Sequence, residues 1–268
     1  MDIRQTSQFD RILRLFAIFL IILMLLFIVV PLIFTVLGSF SVYWSKTLYS
    51  KGVTLKWYQY IWQYYRHTIL RTFAITSATV LINVLLGSMA AYKMTMTANR
   101  NSLWIKLAEE LYTLPMAIPG IAIGLSLAQA YPHLKQIGVM ILVGHVLYTF
   151  PIMLRTVTGA LRTKNYAAID ECAASLGAGP FYRFFKVIFP AIRVPVISGA
   201  INVFMLSLGE FNITFFLYNP FVMTLPVGMY EAYASLRIEA GSAFTAVFLL
   251  FAIPLTILMN KFGKSQQV

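Results

Sequence analysis

Long runs of uncharged residues recur along this chain, and they constrain its fold more than any other feature. Each is near or above the roughly 20 residues that a helix needs to cross a bilayer core. The uninterrupted runs are Leu15 to Ser45, Thr72 to Tyr92, Leu111 to His133, Gln136 to Leu154 and Ala240 to Asn260. Another, from Val194 to Tyr230, is interrupted only by Glu210. The pattern predicts an all-α integral membrane protein with six transmembrane helices and a single domain, residues 1–268.

Composition excludes several other classes of protein. Hydrophobic residues make up 59% of the 268 positions and charged residues 11%, which is too little polar surface for a soluble globule. The net charge of +12 is spread over loops, without the basic, aromatic-rich domain expected of a nucleic-acid-binding protein. A single cysteine, Cys172, rules out an internal disulfide and a cysteine-based metal site. The first apolar run is too long for a signal-peptide core, so we expect a permanent helix.

The distribution of lysine and arginine predicts the orientation. With six spans and a cytoplasmic N-terminus, fourteen cations lie inside and seven outside, as the positive-inside rule favours. Five of the outer seven lie between Lys46 and Arg71. We therefore expect a multi-pass membrane protein with both termini in the cytoplasm.

An aromatic segment follows the first run, at about 41–66, with ring spacings that suit one side of a short helix. Such rings favour the headgroup level of a membrane. Interfacial anchoring is the simpler interpretation, and docking of an external partner is the alternative.

The third run contains Pro115 and Pro119, followed by Gly120 and Gly124. Each proline removes a backbone hydrogen bond, so the helix should kink or break, while the glycines allow close packing. Broken helices at membrane depth often line a translocation pathway, although a plain packing kink is equally consistent with the sequence.

The segment at about 160–190 predicts two short helices between the fourth and fifth runs. The first begins after Asn165, a suitable N-cap, and ends at Gly177. Its residues Ile169, Ala173 and Leu176 share one face. The second runs from Pro180 to Val187 and leaves Arg183 and Lys186 available to water or lipid phosphate.

This segment carries a resemblance to a known family. Glu171-Cys172-Ala173, three residues, Gly177, nine residues and then Val187-Ile188-Phe189-Pro190 resemble the EAA loop of permease subunits of binding-protein-dependent ABC importers. The usual pattern is Glu-Ala-Ala, three residues, Gly, nine residues, Ile-x-Leu-Pro. The spacing agrees throughout, with Cys172, Val187 and Phe189 as departures. Similarity to the family extends over nearly the whole chain.

The resemblance implies a type I (MetI-like) importer fold in which the loop forms a coupling helix held in a groove of an ATPase subunit. The implied ATPase-coupling residues are Asp170, Glu171, Cys172, Ala173, Ala174, Leu176, Gly177 and Pro190. The chain contains no Gly-x-x-x-x-Gly-Lys-Ser/Thr phosphate loop, so ATP and Mg²⁺ would be bound by separate ATPase subunits. Neither a catalytic role nor a cofactor is expected for this chain. The other implied partners are a second permease, homologous and non-identical, and an external solute-binding protein. The implied location is the bacterial inner membrane.

Glu210 is an ionisable group inside an apolar run, where such groups are costly unless they face a cavity or a partner. The surrounding sequence resembles the fifth helix of permeases for polyamines and aminoethylphosphonate, which implies that its polar residues face the solute path. The residues predicted to line that path are Ser207, Glu210, Asn212, Thr214, Pro115, Pro119 and Gly120. Pairing of Glu210 with the partner permease is the alternative.

Other functions remain open at this point. A secondary transporter driven by an ion gradient would also need broken helices and a buried carboxylate, but no inverted repeat is visible. An integral membrane enzyme would need a cluster of reactive residues. His67, His133 and His145 are too scattered for this and are expected to be packing or interfacial residues. A buried Glu210 favours an amine-bearing solute, although importers of sulfate, iron, thiamine and sugars share this architecture.

Overall fold

Helices dominate the chain. The structure is a computed structural model that describes residues 3–44, 49, 51–96, 103, 107, 110–163, 165–235 and 237–264. Ser45, the predicted end of the first apolar run, and Lys46 lie outside the described residues. The helices are α1 (Ile3–Gly38), α2 (Lys56–Met96), α3 (Leu114–Ala117), α4 (Gly120–Ala130), α5 (Pro132–Gln136), α6 (Val139–Thr163), α7 (Tyr166–Ser175), α8 (Pro180–Ala191), α9 (Arg193–Leu208), α10 (Asn212–Leu217), α11 (Leu225–Ala234) and α12 (Ile238–Lys264).

The predicted all-α class is confirmed in the described residues, where β structure is limited to two isolated bridges, Ser41 with Val53 and Asn219 with Val222. Four helical stretches there are long and apolar enough to cross a membrane: Asp10–Gly38, Lys56–Met96, Val139–Thr163 and Ile238–Leu258. Helices α8 and α9 make a fifth if this pair, bent by 81°, is one span. The total of six crossings stays a prediction.

The third apolar run is broken rather than merely bent. Helix α3 ends at Ala117, the backbone of the next residue, Ile118, is extended (φ −86°, ψ 129°), and α4 begins after Pro119. A proline disfavours the helical conformation of the residue before it, which explains the break. Pro132 then begins α5. The predicted break is confirmed, and α4, with 11 residues, is too short to cross a bilayer alone.

The chain divides into two compact units. The first comprises Met1–Gln63 and Glu231–Val247. Trp57 and the rings after it belong to the first turns of the long helix α2 and not to a short helix, which corrects the helix length that their spacing suggested. Within this unit, Trp57 Nε1 donates a hydrogen bond to the Ser41 carbonyl at 2.9 Å. Arg237 Nη1 donates to the Tyr60 hydroxyl at 2.9 Å.

The second unit comprises Tyr64–Tyr230 and Phe248–Val268. Its larger apolar core joins residues of α2, α6, α8 and α9, and includes Tyr92, Met153, Phe184, Ile188 and Val203. A smaller core joins α6 and α10 through Met140, Ile141, Ile213 and Leu217. These two cores hold in place the loop after α6 and the interrupted helix after α9.

Candidate functional site

Helix α7 has a defined start and end. At its start, the side-chain oxygen of Asn165 accepts a hydrogen bond from the Ala168 N–H at 3.4 Å, as an N-cap does. At its end, the N–H of Gly177 donates to the Ala174 carbonyl at 2.9 Å, and that of Ala178 to the Ala173 carbonyl at 3.1 Å. This is the Schellman pattern, with Gly177 at a φ of +84°. The helix predicted from Asn165 to Gly177 is confirmed.

Replacing Gly177 with alanine will destabilise the end of α7 by about 1–2 kcal/mol, because a side chain clashes with the backbone at positive φ. Gly179→Ala is the matched control. Neither glycine has an atom within 4 Å of an added Cβ, but Gly179 has a φ of −68°. Hydrogen exchange over residues 166–178 of the purified protein measures the difference. Equal protection in the two variants would contradict the role of the positive φ.

One side of α7 is exposed and partly apolar. Glu171, Cys172 and Ala174 are exposed, and Leu176 is 89% exposed. Beside them lies an open pocket of about 510 Å³, whose lining includes Ala173, Leu176, Gly177, Tyr182 and Val187. Exposed apolar side chains around a concavity are typical of a protein-binding surface.

Asp170, unlike these residues, is turned toward the protein. It is only 5% exposed. Its Oδ1 accepts a hydrogen bond from the Tyr92 hydroxyl at 2.6 Å, and its Oδ2 lies 2.6 Å from Arg183 Nη1. Of the predicted ATPase-coupling residues, Asp170 therefore faces the protein interior, and its coupling role stays a prediction. The structure corrects the prediction that Arg183 is free for water or lipid phosphate.

Glu210 occupies the break between α9 and α10. Its Oε1 accepts the Ile213 N–H at 2.7 Å, and its Oε2 accepts the Thr214 N–H at 3.0 Å. The Thr214 hydroxyl also donates to Oε2, at 2.9 Å. The carboxylate thus satisfies backbone donors that a helix start leaves without an intrahelical partner. It is buried and directed into its own chain.

His145 joins this carboxylate to the neighbouring helices. Its Nδ1 lies 2.8 Å from the Ser207 hydroxyl oxygen, and its Nε2 lies 2.8 Å from that of Thr214 and 3.5 Å from Glu210 Oε2. Because the Thr214 hydroxyl hydrogen is donated to Glu210, the Thr214 oxygen can only accept from His145. Nε2 therefore carries a hydrogen. Ser207 reaches α2 through the hydroxyl of Thr76, at 3.4 Å.

Helix α4 packs on α10 at backbone distance. A Cβ on Gly124 would lie 2.7 Å from the carbonyl oxygen of Ile213 and 3.0 Å from its Cα. A Cβ on Gly120 would lie 3.1 Å from the Asn212 Cβ. The two glycines therefore allow the contact that their spacing predicts.

An aromatic pocket lies where α4 and α10 meet. It has a volume of about 160 Å³ and is lined by Ile121, Phe211, Asn212, Phe215, Phe216 and Tyr230. The ring centroids of Phe211, Phe215 and Tyr230 are 5.1 to 5.3 Å apart in pairs. Asn212 is exposed beside these rings. The site can present aromatic faces and one amide to a small molecule.

Residues 83–266 match the family described as "Binding-protein-dependent transport system inner membrane component". The chain belongs to this family. It is therefore the permease component of an ABC importer of the MetI-like class, an inner-membrane transport protein without catalytic activity of its own.

Relatives of this permease are named as transporters of different solutes. It is 27% identical over 252 residues to a protein of Salmonella paratyphi A named as a 2-aminoethylphosphonate transport system permease, PhnV, and the match covers 91% of this chain and 92% of the relative. It is also 27% identical over 206 residues to the sulfate transport system permease protein CysT of Synechococcus elongatus, covering 70% and 73% of the two chains. The names of the relatives do not agree on one solute.

The residues predicted to line a solute path fall into two groups in this permease. Asn212 and Gly120 lie at or beside the aromatic pocket, and Pro115 and Pro119 shape the broken segment before α4. Glu210, Ser207 and Thr214 are instead buried and hydrogen-bonded through His145. These three residues do not line the aromatic pocket, and their role in a solute path stays a prediction.

Sequence reasoning missed the polar role of His145 and the contact of Tyr92 with Asp170. The available signal for His145 was a lone ionisable residue within an otherwise uncharged apolar run. No local spacing connects it to Glu210, because the two residues are far apart in the sequence.

Proposed function

We propose that this permease forms, with a second homologous and non-identical permease, the path for a small amine-bearing solute of the polyamine or 2-aminoethylphosphonate type. An external binding protein delivers the solute, and two separate ATPase subunits supply ATP hydrolysis. The chain is a single domain over residues 1–268 with six crossings and both termini in the cytoplasm. Closure of the ATPases opens the path outward, and hydrolysis returns it to the inward-open state.

The exposed side of α7 carries this proposal. Glu171 and Cys172 face outward beside the apolar pocket at Leu176 and Tyr182. The small side chains of α7 allow a groove of the ATPase to approach closely. The Glu171 carboxylate can pair with a cation of the ATPase. Family membership implies an ATPase partner. The loop at about 160–190 is therefore the proposed cytoplasmic ATPase-coupling site, with Pro190 in the final turn of α8.

Cys172 provides a direct test of docking. It is the single cysteine of the chain and is exposed, so a maleimide reagent will label this subunit at one position. We expect labelling in membranes that hold the permeases alone and strong protection when the transporter's own ATPase is co-expressed. In Glu171→Lys we expect loss of protection, because the substitution reverses the charge at the contact.

Two controls make the docking result specific. Denaturation of the complex should restore labelling of Cys172, which excludes prior oxidation. Lys186→Glu also reverses a charge, on the neighbouring helix α8 and outside the proposed docking residues, and should retain protection. Full labelling of wild-type Cys172 in a complex that contains the ATPase would refute docking at α7.

The aromatic pocket supports a solute that carries an ammonium group over one, such as sulfate, that carries only negative charge. The faces of Phe211, Phe215 and Tyr230 are electron-rich and attract cations. The Asn212 amide oxygen can accept a hydrogen bond from an ammonium group. None of the described residues that line this pocket carries a positive charge that would attract sulfate.

Solute-stimulated ATP hydrolysis tests the substrate class. The transporter is reconstituted with its binding protein and supplied with 2-aminoethylphosphonate, spermidine or sulfate, each with a matched mixture that lacks the binding protein. We expect stimulation by one of the two amines and none by sulfate. Stimulation by sulfate alone would refute the amine assignment and leave the docking proposal intact.

A further inference from the structure

Three polar side chains from three helices meet behind the exposed side of α7. Tyr92 of α2 donates its hydroxyl hydrogen to Asp170 at 2.6 Å, and Arg183 of α8 pairs with the other carboxylate oxygen at 2.6 Å. Arg183 Nη1 also lies 3.4 Å from the Asp170 carbonyl oxygen. We call this set of Tyr92, Asp170 and Arg183 the clamp.

Apolar packing surrounds the clamp. The rings of Tyr92 and Phe184 have centroids 5.2 Å apart, and both belong to the larger core of the second unit. Tyr166, at the start of α7, donates a hydrogen bond to the Ala191 carbonyl at 3.4 Å. Short hydrogen bonds to a buried charge are among the stronger ones in proteins, so the clamp resists separation of the three helices.

The backbone of α8 is irregular at the clamp. Residues Arg183–Ile188 form a π-helical turn within α8. Such turns are rare and occur frequently at functional sites. Here the turn begins at the residue that holds Asp170, while Phe184 and Ile188 of the same turn are buried in the core. The irregular turn thus begins at Arg183, which is also one partner of the ion pair with Asp170.

Adjacent carboxylates on α7 have opposite environments. Glu171 is exposed on the proposed docking side, whereas Asp170 is buried and fully engaged by Tyr92 and Arg183. Two neighbouring acids therefore offer separable roles, one toward a partner and one toward the permease interior.

We propose that Asp170 is a positioning residue that ties α7 to α2, so that a displacement of α7 by the ATPase moves the inner end of α2. This inference rests on the proposed docking at α7. Coupling between distant sites is carried by hydrogen-bond networks and rigid elements in contact, and the clamp is such a link between two helices. The path to α2 is direct, because Tyr92 lies near the end of that helix.

Hydrogen exchange of the whole transporter in lipid nanodiscs tests the link without knowledge of the solute. Exchange is compared between the nucleotide-free complex and the complex trapped with ATP and vanadate, over residues 88–96 of α2 and 166–175 of α7. In wild type we expect trapping to change exchange in both segments. In Asp170→Asn we expect the change in α7 to remain and the change in α2 to be lost.

Cys172 labelling in the same samples separates positioning from docking. Asp170→Asn should keep Cys172 protected, whereas Glu171→Gln, the matched control, should weaken protection and leave nucleotide-free exchange of α2 unchanged. Loss of protection in Asp170→Asn would overturn the proposal, because Asp170 would then act in docking. An unprotected wild-type Cys172 would refute the docking proposal, and the positioning role with it.

Tyr92→Phe is the milder second variant if Asp170→Asn does not assemble. It removes one hydroxyl, keeps the ring beside Phe184 and leaves the Asp170 to Arg183 pair in place. We expect it to reduce the trapping-dependent change in α2 selectively. A trapping-dependent change of wild-type size in α2 of Tyr92→Phe, or no such change in the wild type, would overturn the proposal.

Discussion

Replacing Glu210 with alanine will destabilise the permease by about 2–6 kcal/mol, because each of two buried N–H groups that lose their acceptor costs about 1–3 kcal/mol. The substitution leaves the N–H groups of Ile213 and Thr214 without an acceptor at the start of α10. It also removes the carboxylate next to His145. We expect a marked fall in the thermal unfolding temperature of the detergent-purified complex, measured by tryptophan fluorescence. Glu210→Gln should be less damaging, because its amide oxygen still accepts one backbone N–H.

Asn212→Ala is the control for Glu210→Ala because it lies only two residues away and is exposed. Its effect on stability should stay within about 0.5 kcal/mol, as for most surface substitutions. If Asn212 contacts solute, this variant will lose solute-stimulated ATP hydrolysis at unchanged stability. A Glu210→Ala protein with wild-type stability and no transport would show instead that the carboxylate contacts solute.

Local features of the structure could be predicted from the sequence because local chemistry determines them. Asn165 and Gly177 begin and end α7 through hydrogen bonds that reach only a few residues along the chain. Pro119 ends α3 for a reason contained in its own ring. Gly120 and Gly124, four residues apart, fall on one face of α4, which is the geometry of a close helix contact.

Long-range partners could not be predicted in this way. Helical periodicity places Asp170 on a different face from Ile169 and Ala173, but it does not say which face meets the protein. That choice depends on Tyr92, which lies 78 residues away in the sequence. Glu210 was likewise recognised as a costly buried charge, while its neighbour His145 belongs to another helix. The length of an apolar run also fails to distinguish one continuous span from the broken α3, α4 and α5.

Replacing Gly124 with alanine will destabilise the permease by about 1–3 kcal/mol, the usual cost of overpacking a close contact. The added Cβ would lie 2.7 Å from the Ile213 carbonyl oxygen. This neighbour is backbone, which cannot rotate away as a flexible side chain can. Helix α4 must therefore move away from α10, and Gly124→Val should move it further. Thermal unfolding of the purified complex measures the loss.

Gly159→Ala is the matched control for Gly124→Ala, and its expected effect has the opposite sign. Gly159 lies inside α6 with no atom within 4 Å of an added Cβ. Alanine there should stabilise the helix by about 0.5–1 kcal/mol. Because α10 carries Asn212 and Phe215, displacement by Gly124→Ala should also enlarge the aromatic pocket and weaken solute stimulation. If the two variants prove equally stable, α4 and α10 do not pack at backbone distance, and the pocket between them is not held by this contact.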